Sequence, residues 1–489
     1  MATIDLTVVA AYFAVSLALG VWAGRGERNA DDYFLGGRRQ HWLLVGISIL
    51  ATEVSAITFV TVPGKAFTGD WTWLQLYFGS FVGRMLIVWL LLPAFYGGRV
   101  TTVYEYLGQR FGPWTRVAAA LMFFASRIVG SGLRLLAAGI AISVVFDWPL
   151  SWVVVACAGV AVAYTAFGGI KAILWTDAWQ AFIFLASAAS IVVFVVNASP
   201  LPFVDAVEMA AASDKFRVFN LDAHWNSDQW FGALTANSLF LAAAVFGTDQ
   251  DMTHRMLTCS NVRNGQKSLT FNALIGLPVV VLFLAVGSAM WVYAQSSPTT
   301  ADLANESVNR ICPLFIADVI PPGVGLQGFL IAGVLAAAMS SLSSTMGALS
   351  STAVIDFYRP FIAPGRSSAH YMGAGRVFTV LFAGILTVVA LSFPPDNDLL
   401  NAAFGWASLI YGSLLGVFML GALTRSRGHD VLNAVIMFVG VGMLAAVKFV
   451  GGDQPVIAWP WWIVVGTVWT FGAGVLFRGR NHRPNPSAA

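Results

Sequence analysis

Residues 118–145 read AAALMFFASRIVGSGLRLLAAGIAISVV. At about 1.5 Å per residue a helix of this length crosses the roughly 30 Å hydrocarbon core of a bilayer with some tilt. Two arginines interrupt it, Arg127 and Arg134. They are two helical turns apart and therefore share a face. A charge at mid-bilayer costs about 2.5–3.5 kcal/mol on lenient insertion scales, so such a side chain faces the bundle interior or a wet cavity. A cavity lined by two arginines suits an anion.

The rest of the chain agrees with a helical membrane protein. Of 489 residues, 58% are hydrophobic and 10% are charged. A soluble protein carries charge on about a quarter of its residues. The net charge of +3 says little until its distribution is considered. Cys157, Cys259 and Cys312 lack paired spacing, which indicates neither a disulfide framework nor a metal cluster. The first apolar stretch, residues 6–23, has no Lys or Arg before it, which argues against a cleaved signal peptide. No polar segment is long enough for a soluble domain.

Apolar windows predict thirteen spans. Numbered from zero, they cover residues 5–24, 41–63, 72–96, 115–146, 150–169, 172–197, 230–254, 267–295, 326–356, 372–392, 400–424, 430–451 and 459–478. Alternate loops hold most of the 27 basic residues. They include Arg25, Arg28, Arg38 and Arg39; Arg99, Arg110 and Arg116; Arg255 and Arg263; Arg359 and Arg366; Arg425 and Arg427; and Arg478, Arg480 and Arg483. The positive-inside rule then places the N-terminus outside and the C-terminus in the cytoplasm. Spans 1–5 and 6–10 form two blocks of five. An odd block length gives them opposite orientation, the layout of inverted-repeat transporters.

Three spans carry polar groups that invite explanation. In span 8, Ala337, Ser340, Ser341 and Ser344 form one helical stripe, either oxygen ligands for a small hard cation or a small-residue packing face. Span 1 places Thr52, Glu53, Ser55 and Thr58 at mid-depth before Pro63-Gly64. This predicts a broken helix whose freed carbonyls meet a cation; the alternative is a straight helix with Glu53 paired to an arginine. Asp177 lies inside span 5 and needs a protein or ionic partner. Arg84 is read as a cap or as the partner of Glu53. Asp249, Gln250, Asp251 and Arg255 read as a gate or anchoring network rather than a substrate site.

Taken in order, several segments resemble the sodium:solute symporter family. They are Tyr33-Phe-Leu-Gly-Gly-Arg38, span 1, Thr102-Val-Tyr-Glu-Tyr-Leu107 with Arg110-Phe111, Gly168-Gly169 with Trp175-Thr-Asp177 and Gln180, Thr248-Asp-Gln250 with Arg255, and the span 8 serines. The resemblance covers residues 5–425. It implies an all-α polytopic membrane protein with a LeuT-type 5+5 inverted repeat, one extra N-terminal and two extra C-terminal helices. The expected segments are 1–40 (extra helix and loop), 41–197 (first repeat), 198–229 (connection), 230–424 (second repeat) and 425–489 (C-terminal helices and tail).

By position, the resemblance assigns a sodium site to the carbonyls of Ala51, Val54 and Ala337 and the hydroxyls of Ser340 and Ser341. A second site, present in some members, corresponds to Asp177, Ser340, Ser343 and Ser344. Sodium, one ion or two, is thus the expected co-transported cofactor. The Tyr-Glu-Tyr-Leu piece looks like the branch carrying iodide, monocarboxylates and vitamins. Sialic-acid members hold a carboxylate with groups that Ser55, Thr58, Gln75 and Arg127 or Arg134 could supply; Glu53 beside an arginine would also suit a zwitterion.

The expectation is a sodium-coupled symporter in the inner (plasma) membrane importing a small organic anion by alternating access, a carboxylate such as a monocarboxylate, vitamin or sialic acid. Its partners are that solute, sodium and lipid, with no nucleic acid. Alternatives are a sugar, polyol or amino-acid symporter and, from another class, a nutrient sensor or channel-like protein. A sensor should carry a signalling domain and a channel should pass solute without sodium. No nucleophile–base pair, metal cluster or phosphate loop suggests an enzyme.

Overall fold

The computed structural model describes residues 3–25, 33, 35–98, 100–165, 169–450 and 457–478. Arg28, Phe34, Arg99, Gly168, Arg480 and Arg483 lie outside the described residues. Span 0 is α1 (Thr3–Ala23), and span 1 divides into α2 (Trp42–Glu53) and α3 (Ala56–Thr68). Then follow α4 (Gln75–Gly97), the short α5 (Val103–Arg110), α6 (Pro113–Phe146), α7 (Leu150–Thr165) and α8 (Ile170–Ala198). After α9 (Phe203–Ala212), span 6 divides into α10 (Phe231–Thr248) and α11 (Gln250–Leu257). The remainder comprises α12 (Val262–Ser296), α13 (Val308–Asp318), α14 (Leu326–Thr352), α15 (Ser368–Ser392), α16 (Leu399–Leu423), α17 (Asp430–Val450) and α18 (Trp462–Leu476).

Among the described residues, eleven single helices are long and apolar enough to cross a membrane, and the bent pair α2–α3 makes a twelfth. The expected span at 150–169 is the shorter α7, whose described helix ends at Thr165. Large apolar side chains face outward: Trp89 is 75% exposed and Trp152 74%. The interior is correspondingly rich in small and polar side chains, with Ser340, Ser341 and Ser343 fully buried. Lipid, unlike water, gives apolar side chains no reason to leave the surface.

Helices approach closely where glycine permits. On α4, Gly79 and Gly83 are one turn apart, and a Cβ on either would lie 2.0 Å from the Thr235 carbonyl and 2.2 Å from the Leu239 carbonyl of α10. This small-residue seam locks span 2 against span 6. Likewise α1 meets the start of α14 at Gly328, and the buried Asp5 carboxylate accepts the amides of Gly323 (2.8 Å) and Gly328 (3.2 Å).

Span 1 is bent by 59° at its break. Val54 and Ser55 are extended there (ψ 111° and 176°). The Ser55 amide donates to the Thr58 hydroxyl (3.3 Å) instead of a carbonyl one turn back. A side chain thus starts the second half-helix, as a cap does. Span 6 also breaks, which the continuous window at 230–254 did not anticipate. Asp249 is extended (ψ 126°) and its carboxylate caps α11 by accepting the Asp251 amide (2.8 Å). The first span of each five-span block is therefore the broken one.

The two ends of the bundle differ. On the arginine-poor side, Lys65 of α3 pairs with Asp398, the N-cap of α16. There too Lys215 donates to the carbonyls of Phe67 (2.7 Å) and Gly69 (2.9 Å) at the end of α3, and burial lowers its pKa. On the other side, α5 is tied to the span 6 break: the Val103 amide donates to Gln250 (2.9 Å) and the Tyr104 hydroxyl to the Thr248 carbonyl (3.1 Å). Beside this network a small cavity is lined by Tyr33, Asp251, His254, Arg255 and Ser344 among others.

Candidate functional site

The break in span 1 faces the serine stripe of α14. The Ser340 hydroxyl donates to the Ala51 carbonyl (2.5 Å) and the Ser341 hydroxyl to the Thr52 carbonyl (3.3 Å). Both carbonyls are released from helical bonding by the break. Ala51, Ala337, Ser340 and Ser341 are fully buried and Val54 is nearly so. A hydroxyl has lone pairs as well as a proton. With a cation present, the same two serines can turn oxygen toward it alongside the carbonyls. Neutral hard oxygens of this kind match sodium.

One turn along α14 lies a charged cluster. The Asp177 carboxylate accepts from the Ser48 hydroxyl (2.5 Å), and its Oδ2 is 3.1 Å from Arg255 Nη2. The same nitrogen donates to the Ser344 hydroxyl, which also contacts the Thr52 hydroxyl (3.3 Å). Asp177 and Ser344 therefore share one guanidinium nitrogen. The Ser343 hydroxyl turns back to the Ser340 carbonyl (3.2 Å). Asp177 Oδ1 is buried without a hydrogen-bond partner among the described residues.

From Arg255 the charges alternate across the bundle. Arg255 meets Asp251 (2.6 Å), and Arg127 lies 3.3 Å from Asp251 and 2.7 Å from Asp249. Tyr411 of α16 donates to Asp249 as well. The Asp249–Arg255 segment is thus an anchoring network whose partners are Asp177 and Arg127.

The two span 3 arginines consequently differ. Arg127 is buried and neutralised by two aspartates. Arg134 makes no hydrogen bond or ion pair with a described residue, and its Nη1 is enclosed without a partner. Its helix, α6, packs against α3 and α16. Between the two, Ser131 reaches Thr345 of α14 (2.9 Å).

The four other expected substrate residues are engaged by the protein. Glu53 pairs with Arg84 and accepts from Asn272 (3.1 Å), while Arg84 also donates to the Asn272 side-chain oxygen (2.9 Å). Gln75 is buried at the start of α4, where its amide nitrogen donates to the carbonyls of Thr72 (2.9 Å) and Gln229 (3.2 Å) and its oxygen accepts from the Asn220 amide (3.1 Å). Ser55 and Thr58 sit at the head of α3, the Thr58 hydroxyl serving the Ser55 amide.

Ser48, Asn272 and Tyr411 belong to these networks without having been singled out in the sequence. Ser48, Thr52 and Ser55 follow i, i+4, i+7 through span 1, a stripe that could have drawn attention. Asn272 and Tyr411 are isolated polar groups in apolar spans, and spacing offers no clue to their partners.

A bundle of apolar spans, two of them broken, with buried oxygen ligands at one break, is the architecture of a membrane carrier. The chain belongs to the sodium:solute symporter family, whose model matches residues 33–427. It is 30% identical to the sodium/sialic acid symporter NanT of Aliivibrio fischeri over 443 residues, covering 89% of this chain and 86% of that one. It is 26% identical to the human sodium-coupled monocarboxylate transporter 1 over 454 residues, covering 90% and 73%. Its structure superimposes on that of a Na+-coupled sialic acid symporter in a substrate-bound outward-open state with a TM-score of 0.87, at 26% identity and 97% coverage of both chains. The fold is LeuT-type and the protein is a transporter, not an enzyme.

Proposed function

We propose that the protein is a sodium-coupled symporter that imports a small organic anion, a carboxylate, by alternating access. The observation that carries the anion is the contrast between Arg127, ion-paired with Asp249 and Asp251, and Arg134, which has no ion-pair or hydrogen-bond partner among the described residues. A half-buried guanidinium with free donors is matched by a carboxylate, which it binds in a bidentate fork. Arg134 is assigned to the solute, with Ser55 and Thr58 at the head of α3 as neighbouring hydroxyls. Arg127, Gln75 and Glu53 hold the scaffold. The relatives named above carry sialic acid and monocarboxylates, both carboxylates, which supports this reading.

Sodium occupies the oxygens of Ala51, Val54, Ala337, Ser340 and Ser341, and a second ion takes Asp177, Ser343 and Ser344 with Ser340. Each ion moving down 100 mV yields about 2.3 kcal/mol. Two ions with one monoanion carry net positive charge inward, so uptake is electrogenic. The five-span blocks 41–197 and 230–424 act as inverted repeats, between the N-terminal segment 1–40, the connection 198–229 and the C-terminal segment 425–489. With the arginine-rich loops in the cytoplasm and the N-terminus outside, the Lys65–Asp398 pair closes the outer end while the cavity beside Arg255 opens inward. The membrane is then the plasma membrane. A thermal-shift screen of carboxylates, sugars and amino acids, with and without sodium, tests the proposal. Stabilisation by a carboxylate that requires sodium supports it; stabilisation by sugars alone contradicts it.

A further inference from the structure

Arg255 holds two carboxylates at once. Its Nη2 bridges Asp177 and Ser344, while its Nη1 holds the side chain and carbonyl of Asp251 one turn back on its own helix (2.6 and 2.5 Å). Its Nε donates to Ser48, the hydroxyl that also serves Asp177. The guanidinium therefore stands between Asp177 and Ser344, ligands assigned above to the second sodium. Asp251 and the adjoining cavity offer it another place: letting go of Asp177 leaves Arg255 still paired, on the side where Asp251, Arg255 and Ser344 line the open space.

Asp177, at the end of the buried chain Asp177–Arg255–Asp251–Arg127–Asp249, has one oxygen, Oδ1, without a hydrogen-bond partner among the described residues. With Arg255 withdrawn to Asp251, that carboxylate is left for a monovalent cation.

We propose that Arg255 is a built-in competitor for the second sodium. In the sodium-free carrier its guanidinium holds Asp177 and Ser344; sodium binding displaces it onto Asp251, and its return expels the ion toward the cavity. The proposal rests on the reading that Asp177 and Ser344 bind sodium. It makes Arg255 a determinant of how readily the ion is released, although Arg255 is not itself a sodium ligand.

The test is equilibrium binding of radioactive sodium to the purified full-length protein, wild type and Arg255→Ala, with and without free guanidinium chloride at millimolar concentration. Removing a competing charge about 3 Å from the carboxylate should tighten the weaker sodium site by about tenfold or more. Guanidinium should return the variant toward wild-type affinity while leaving the wild type unaffected. Unchanged or weakened sodium binding in Arg255→Ala, or no effect of guanidinium on it, overturns the proposal. If Arg255→Ala does not fold, Arg255→Lys serves: a lysine cannot fork across both partners, so the weaker site should tighten by a smaller factor, and no tightening overturns it. Asp177→Asn separates the two levels. Loss of one bound sodium in Asp177→Asn without tightening in Arg255→Ala removes the competitor alone; identical sodium binding in wild type and Asp177→Asn removes the second site and the competitor with it.

Discussion

Arg127 and Asp249, 122 residues apart in sequence, meet at 2.7 Å in the centre of the bundle. That one contact joins span 3 to the break in span 6 and, in the proposed reading, gives Arg127 a structural role. Removing one partner from such a buried pair costs about 3–5 kcal/mol because the other charge is stranded. Arg127→Gln is expected to lower the melting temperature and the monodisperse yield. Arg127→Leu combined with Asp249→Asn should recover much of the loss. An Arg127→Gln protein that melts like wild type but no longer binds carboxylate would transfer the solute role to Arg127.

The span 1 break and the α14 serines make a second expectation. Ser340→Ala and Ser341→Ala each delete a hydroxyl that faces a carbonyl freed by the break. Apparent sodium affinity should fall by about tenfold or more in each, the scale of one lost ligand interaction of roughly 1.4 kcal/mol. Concentrative uptake in proteoliposomes should be lost while gel-filtration behaviour is retained. Wild-type sodium dependence in both variants would remove this site.

Asp177 is the charged ligand proposed for the second ion. In Asp177→Asn the sodium Hill coefficient should drop from near two to near one, with transport slowed rather than abolished. Reversal potentials in proteoliposomes give the stoichiometry directly. One sodium per solute in the wild type would make Asp177 a structural partner of Arg255 and nothing more.

Much of this architecture is legible in the sequence. The spans follow from apolar runs, and the span 1 break from Thr52, Glu53, Ser55 and Thr58 at mid-depth, where a straight lipid-facing helix has no use for them. The Glu53–Arg84 pair was set against a broken helix, and the two occur together; Arg84 also donates to the Asn272 carbonyl, the other role read for it. The span 6 break was hidden because α10 and α11 share one hydropathy window; its signal is local, an aspartate at position 249 whose side chain caps the next turn. The difference in pairing between Arg127 and Arg134 was not legible. Both lie on one helical face, and only the arrival of Asp249 and Asp251 from another span distinguishes them. Gln75 is a similar case: its chemistry suited a solute, yet its depth at the head of α4 puts it among loop carbonyls.

The central claim is that Arg134 meets a carboxylate. A lysine at this position keeps the charge but not the bidentate fork. The most direct measurement is the affinity of a transported carboxylate and of its neutral amide, in saturating sodium, for wild type, Arg134→Lys and Arg134→Gln. The account predicts that wild type prefers the acid over the amide by about tenfold to a hundredfold, in line with roughly 1.5–3 kcal/mol for a charged hydrogen-bonding contact. Both variants should lose most of that preference while binding sodium alone as wild type does. Equal affinity of the wild type for acid and amide, or an acid preference undiminished in Arg134→Gln, would contradict it.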